Sequence, residues 1–146
     1  MKEPQEHDFP AAHDYLSLLM SYEVATRTVD RLREAPLITR KAKDLLRASG
    51  LPLLARTNPS VASDLRKIRN GEKLSPVLVV RGDSANRYPL TVADGYHRIC
   101  ASYYVDESLD IPCRLAEAPE RSRAAARARK GASGGLAPGG VASGGC

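Results

Sequence analysis

The sequence predicts an α+β protein in which helices pack on a small mixed sheet. Two observations support this class. Apolar residues recur at helical spacing through residues 10–70, whereas residues 71–115 contain short apolar runs of the kind found in strands. The chain has 146 residues, of which 42% are hydrophobic. That length gives room for one domain with its own core.

The first half of the chain predicts helices. Residues 22–34 carry an apolar face at helical spacing, and Pro36 ends it. Asn58 and Pro59 indicate a helix start, because Asn caps an N-terminus and Pro suits the first turn. Thr39 is a candidate N-cap for a helix whose residues 44–47 also fit a short strand. The predicted helices cover residues 10–20, 22–34, 39–49 and 59–69.

The second half predicts strands around one further helix. Residues 77–80 are a continuous apolar run, as expected of a buried strand. A turn-rich stretch then leads to a second strand at 88–93, and the two are expected to pair as a hairpin. A helix over residues 96–104 and a strand over 111–115 complete the expected sheet. The helix is expected to face the sheet with Ile99, Cys100 and Tyr103.

The positive charge of the chain lies at its C-terminal end. Five of the 22 basic residues and none of the 17 acidic residues follow Glu120, so residues 1–120 hold 17 of each sign. Seven of the 11 glycines lie in residues 131–146, a composition typical of disorder. We expect an N-terminal helical extension (1–50), a main domain (51–120) and a disordered tail (121–146) that is basic and then rich in Gly, Ser and Ala.

Several classes of protein are disfavoured by the sequence. No apolar run is long enough to cross a bilayer, and the acidic, polar N-terminus does not resemble a secretory signal, so a cytoplasmic protein is expected. The three cysteines are widely spaced, which disfavours a disulfide framework or a structural metal site. Cys100 and Cys113 are expected to be buried and unreactive, and Cys146 to be accessible.

The segment Asp94-Gly95-Tyr96-His97-Arg98 follows a predicted strand and opens a predicted helix. A helix N-terminus has unpaired N–H groups and a partial positive charge, both of which favour anions. A glycine there leaves room for a ligand, and His97 and Arg98 are donors suited to phosphate. Asp94 is a candidate helix cap, metal ligand or hydroxyl partner. Ordinary helix capping is the alternative interpretation of this segment.

Further phosphate donors are expected from the helix at 59–69. Val61, Leu65 and Ile68 line its apolar face. Ser63 and Lys67 are four residues apart and therefore share another side of the helix. A solvated helix face is the alternative interpretation of these two residues.

Residues 51–116 resemble the ParB/sulfiredoxin superfamily. The resemblance lies in the helix-opening Asn58-Pro59 and the helix end Lys67-Ile68-Arg69, then Leu74-Ser75-Pro76-Val77-Leu78-Val79-Val80, Leu90-Thr91-Val92-Ala93-Asp94-Gly95-Tyr96-His97-Arg98 and Ile111-Pro112-Cys113-Arg114-Leu115. It implies phosphate contacts from Gly95, His97 and Arg98, completed by Ser63 and Lys67. Arg47 is a looser candidate for the same role.

The resemblance also has departures. Tyr96 occupies the place of the reactive cysteine of sulfiredoxin, and a Gly-rich segment stands where ParB partition proteins continue into a DNA-reading domain. Sulfinic-acid repair and chromosome partition are therefore disfavoured. Free-serine kinases, a third branch, carry the similar segment Asp-Gly-His-His-Arg, which is compatible with a small-molecule kinase.

The sequence is compatible with three functions. The first is a nucleotide-dependent phosphotransferase or NTPase that uses a nucleoside triphosphate and Mg²⁺, with Asp94 as the catalytic residue. The second is a non-catalytic module that senses a nucleotide or docks a protein partner. The third, and least favoured, is weak nucleic-acid binding through the Arg-rich tail, which has no aromatic residue for base stacking.

Overall fold

The computed structural model describes residues 5–119, which form five α-helices and four β-strands. The α+β class is therefore confirmed, whereas the predicted tail lies outside the described residues. The elements are α1 (Gln5–Leu16), α2 (Tyr22–Glu34), β1 (Leu37–Lys41), α3 (Ala42–Ser49), α4 (Pro59–Arg69), β2 (Val77–Val80), β3 (Thr91–Asp94), α5 (Tyr96–Val105) and β4 (Asp110–Ala116).

The strands form one mixed sheet in the order β1-β4-β2-β3. β2 and β3 pair antiparallel as the predicted hairpin, with an irregularity between Leu78 and Val79. The helix α5 then returns the chain to the other side of β2, where β4 runs parallel to β2. β1 pairs antiparallel with β4 at the edge of the sheet. The three predicted strands thus share one sheet, as expected.

Helices cover both faces of the sheet, which explains why β2 is apolar at all four positions. On one face, α1 and α2 pack against alternate strand residues, among them Leu78 and Val80. On the other face, α3 and α5 cover Val77 and Val79. The helix α4 packs on α5 rather than on the sheet, and this contact brings the polar side of α4 close to the start of α5.

Local sequence signals account well for α2 and α4. The Ser21 hydroxyl accepts a hydrogen bond from Val24 N, and the predicted apolar face of α2 is buried through Ala25, Thr28, Val29 and Leu32. The Asn58 side chain accepts hydrogen bonds from two backbone N–H groups of the first turn of α4, and Pro59 opens that helix.

The predicted helix at 39–49 is wrong in its first three residues, because residues 37–41 form β1. Thr39 lies opposite Pro112 in the β1–β4 pairing, and the N-cap of α3 is Lys41. The open alternative of a strand at 44–47 is also wrong, since these residues lie in α3. Pairing with a strand distant in sequence decided the conformation here, over a local pattern that suited a helix.

Two other boundaries differ from expectation. The first helix was predicted from residue 10, but Pro10 lies inside α1, and residues 17–20 form a turn. The second strand was predicted from residue 88, but β3 begins at Thr91. Tyr88 forms an isolated bridge with Asp83 before the strand begins, and Pro89 has no N–H to donate to a strand pairing.

Both described cysteines are free and buried, as predicted. Cys113 lies on the sheet face under α3, but Cys100 packs against Val61 and Leu65 of α4 and not against the sheet. Burial raises the pKa of both thiols, although a backbone hydrogen bond at Leu54 opposes the rise at Cys100 and the charge of Arg40 opposes it at Cys113. Burial and the raised pKa both lower the reactivity of these two thiols.

We therefore expect native Cys100 and Cys113 to react with a thiol reagent at least about a hundredfold more slowly than in the unfolded chain. Peptide mass spectrometry after a timed alkylation measures both rates separately, with protein in denaturant as the reference. Rapid labelling of Cys100 in the folded protein would contradict its burial and reopen a redox role.

None of the helices within residues 5–119 combines the length and apolar character needed to cross a bilayer.

Candidate functional site

The polar side of α4 forms one wall of the candidate site. Packing of its apolar side against α5 leaves Ser63 half-buried and Lys67 exposed on the other side. The Nζ of Lys67 lies 3.9 Å from Oδ1 of Asp64, whose side chain is 14% exposed. The ammonium group is therefore loosely held and remains free to contact a ligand.

The turn between β3 and α5 forms the opposite wall. Gly95 is the N-cap of α5 and has a φ of 109°, a conformation that disfavours any residue with a side chain. A Cβ built at Gly95 would lie 2.6 Å from Cγ1 of Val77 and 2.9 Å from Nη2 of Arg98. The space beside Gly95 is thus filled by the protein itself, whereas the sequence suggested that it would serve a ligand.

The first turn of α5 has no side-chain cap. This contrasts with α2 and α4, whose first turns are capped by Ser21 and Asn58. Asp94, which the sequence suggested as a cap, instead accepts a hydrogen bond from Arg98. The N–H groups at the start of α5 therefore keep their capacity to bind an anion.

The two walls enclose an open pocket of about 400 Å³. All six residues predicted for the site line it: Ser63, Lys67, Asp94, Gly95, His97 and Arg98. Pro59, Ser60 and Asp64 of α4 also line it. Residues on two separate helices and one turn thus meet at one place, as the sequence predicted.

Arg98 is mostly buried, with 17% of its side chain exposed. Its Nη2 lies 3.0 Å from Oδ2 of Asp94, 3.5 Å from Oδ2 of Asp8 and 3.3 Å from the carbonyl oxygen of Pro76. Its Nε is buried and, within residues 5–119, has no hydrogen-bond partner. Burial among these partners means that Arg98 contributes to the stability of the fold, unlike an arginine on the surface.

The Asp94 carboxyl sits in a mixed electrostatic environment. Burial raises its pKa, the hydrogen bond and charge of Arg98 oppose that rise, and the nearby Asp8 carboxyl adds to it. Asp8 is itself held by Ser75, whose hydroxyl donates to Asp8 Oδ2 over 2.9 Å. Two carboxyl groups thus share one guanidinium at the back of the pocket.

His97 is exposed at the rim of the pocket. Its ring stacks on that of Tyr96, with centroids 5.9 Å apart and planes 30° apart. The Tyr96 hydroxyl donates to the carbonyl oxygen of Pro52. This chain of contacts orients the imidazole while leaving its nitrogens available to a ligand.

Sequence reasoning missed Asp64 and Asp8. Asp64 was detectable, because it lies three residues before Lys67 and therefore on the same side of α4. Asp8 carried no such signal, since only the packing of α1 brings it to Arg98. Arg47, the looser candidate, lies elsewhere. It lines a different cleft and pairs with Asp44 at 3.2 Å.

The polar groups of the pocket suit an anion that is bound together with a metal cation. Ser60, Ser63, Lys67, His97 and Arg98 supply donors, while Asp64 and Asp94 supply carboxylates. Within the described chain no three His, Cys, Asp or Glu residues group closely enough to hold a metal by themselves. Mg²⁺ commonly takes one or two carboxylates and completes its shell with phosphate oxygens and water, which these two carboxylates fit.

Fold and site together define an α+β protein with a polar pocket at a strand-to-helix turn. Comparison with known protein families, with curated proteins and with solved structures found no match.

Proposed function

We propose that this protein binds the phosphate groups of a nucleoside triphosphate in the pocket between α4 and the start of α5, as a member of the ParB/sulfiredoxin-like superfamily. In the catalytic form of this proposal, the protein is a small-molecule phosphotransferase or NTPase. Phosphoryl transfer depends chiefly on positioning and charge neutralisation, which are the contributions available from this pocket.

One observation carries the proposal. Donors from α4 and from the β3–α5 turn converge on the first turn of α5, which has no side-chain cap. Lys67 from α4 and His97 from the first turn of α5 both line the pocket. Unpaired backbone N–H groups combined with two flexible cationic or polar donors form a common phosphate-binding arrangement.

Asp64 and Asp94 would hold Mg²⁺ bound with the nucleotide. The metal would neutralise phosphate charge, which the pocket needs because Asp64 and Asp94 offset the charges of Lys67 and Arg98. The residues of the chain would bind and orient the phosphates, with Ser60 and Ser63 as hydroxyl donors.

Substitution of exposed donors tests phosphate binding without disturbing the fold. Lys67→Ala and His97→Ala are each expected to weaken ATP or CTP binding about tenfold or more, since one charged hydrogen bond contributes roughly 1.5–3 kcal/mol. Isothermal titration calorimetry with ATP, CTP and ADP in the presence of Mg²⁺ measures the loss. The melting temperature of each variant without ligand should match that of the wild type, because both side chains are exposed.

Arg66→Ala is the matched control for Lys67→Ala. Arg66 is the neighbouring basic residue on α4, is exposed and does not line the pocket. It therefore removes the same net charge without removing a pocket donor. Equal losses for Arg66→Ala and Lys67→Ala would reduce the effect to general electrostatics, and absence of binding by the wild type would refute the proposal.

A non-catalytic nucleotide sensor is the second candidate. The observation that favours it is the 3.0 Å pairing of Asp94 with Arg98, which engages the carboxylate expected to act in catalysis. A phosphate-release assay separates the two forms. A sensor would bind nucleotide with no release above the buffer rate, whereas an enzyme would show turnover that Asp94→Asn reduces more than it reduces binding.

A further inference from the structure

We propose that Asp8 of α1 sets the anion affinity of the pocket by competing with the ligand for Arg98. The inference rests on the proposed phosphate-binding function and adds a residue from outside the region that carries the binding motif. Asp8 does not line the pocket, so it acts through Arg98 and is a positioning residue.

The contacts of Arg98 show how this competition arises. A guanidinium binds an oxyanion side-on through two parallel donors, Nε and the adjacent Nη group. In Arg98 one of these two donors is already occupied, since Nη2 contacts Asp94 and Asp8. The other donor, Nε, is unused, because it is buried and has no hydrogen-bond partner in the described part of the chain.

An oxyanion that binds both Nε and Nη2 of Arg98 must therefore displace a carboxylate from Nη2. Asp8 is the one displaced, because its contact of 3.5 Å is longer than the 3.0 Å contact of Asp94. The displaced Asp8 keeps its hydrogen bond from Ser75. Ligand binding would also give the buried Nε the acceptor that it lacks, which removes an unfavourable feature of the ligand-free state.

The charges around Arg98 determine whether Asp8 strengthens or weakens anion binding. The groups that face Arg98 are Asp8 from α1, Asp94 from β3 and the carbonyl oxygen of Pro76. Two carboxylates against one guanidinium leave a negative balance when both are ionised. From α4 the Lys67–Asp64 pair adds no net charge, and His97 stands at the rim. An incoming anion is therefore repelled by Asp8 across a mostly buried space, where screening is weak.

Sulfate is the appropriate probe, because it is a dianion at neutral pH and carries no other group that the pocket could recognise. We expect Asp8→Asn to bind sulfate about tenfold more tightly than the wild type at pH 7.5, the size of one partly screened charge interaction. Chemical shifts of the Gly95 and His97 amides, followed at constant ionic strength, measure the affinity and confirm that the variant is folded. Asp14→Asn, an exposed site also on α1, is the control for net charge.

The outcomes separate this inference from the proposed function. A wild type that binds sulfate, with Asp8→Asn equal or weaker, overturns the competition and leaves the phosphate site standing. Absence of sulfate and ATP binding by both proteins overturns both.

Discussion

Replacement of Arg98 by Ala is expected to weaken nucleotide binding about tenfold to a hundredfold, the effect of one lost charged hydrogen bond. It is also expected to lower the free energy of unfolding by roughly 2–3 kcal/mol, somewhat less than the loss for a fully buried pair. The loss of stability arises from the buried contacts of Arg98 within the protein. Arg98 neutralises Asp94 and Asp8, whose side chains are 21% and 15% exposed, so its removal leaves two mostly buried carboxylates unpaired.

Urea denaturation and calorimetry of the same preparations measure the two effects. Arg81→Ala is the matched control, because Arg81 also pairs with a carboxylate, Glu117 at 2.9 Å, but is 55% exposed. It should change the free energy of unfolding by less than about 1 kcal/mol and leave binding intact. A destabilisation by Arg98→Ala no larger than that of Arg81→Ala would contradict the role assigned to the buried network.

A double-mutant cycle tests the network directly. Asp8→Asn removes one of the two carboxylates that Arg98→Ala leaves unpaired, so the double variant should be more stable than the sum of the single effects predicts. Additive effects would mean that Asp8 and Arg98 do not interact energetically.

Replacement of Gly95 by Ala is expected to lower the free energy of unfolding by roughly 3–5 kcal/mol, as the sum of backbone strain and overpacking. The strain arises because φ is 109° at this position, and the overpacking because a Cβ would lie 2.6 Å from Cγ1 of Val77. Val77 is fully buried under α3 and α5 and has little room to move. The change would also displace the start of α5, and phosphate binding should be lost with it.

Gly71→Ala separates the two contributions to the Gly95 effect. Gly71 has a φ of 77°, and a Cβ there would meet no atom within 4 Å, so only backbone strain of about 1 kcal/mol is expected. The midpoint of urea denaturation compares the variants. If both glycine substitutions destabilise the protein equally, crowding at Val77 is not the reason that position 95 requires glycine.

Much of the secondary structure followed from local signals. Asn58 and Pro59 define the start of α4 through hydrogen bonds within one turn, and the apolar run of β2 reflects burial on both faces. The candidate site was also accessible from sequence in large part. Ser63 and Lys67 share a side of one helix, and Asp94 to Arg98 span one turn, so short-range geometry alone groups each set.

The rest depended on contacts between distant residues. Thr39 lies in a strand because β4 offers its hydrogen-bonding edge to residues 37–41, which the local pattern does not reveal. The same is true of Asp8, which reaches Arg98 only because α1 packs on the sheet beside β3.

The sequence by itself determined the capped start of α4 and the glycine turn that opens α5, since each depends on interactions within a few residues, and it marked β2 by a continuous apolar run. Only the tertiary structure decided which donors meet and how strongly each is held. Packing of α4 on α5 placed Lys67 beside the β3–α5 turn, and packing of α1 buried Arg98 between two carboxylates. Burial and charge pairing are properties of the assembled chain, because both depend on neighbours that the sequence does not place together.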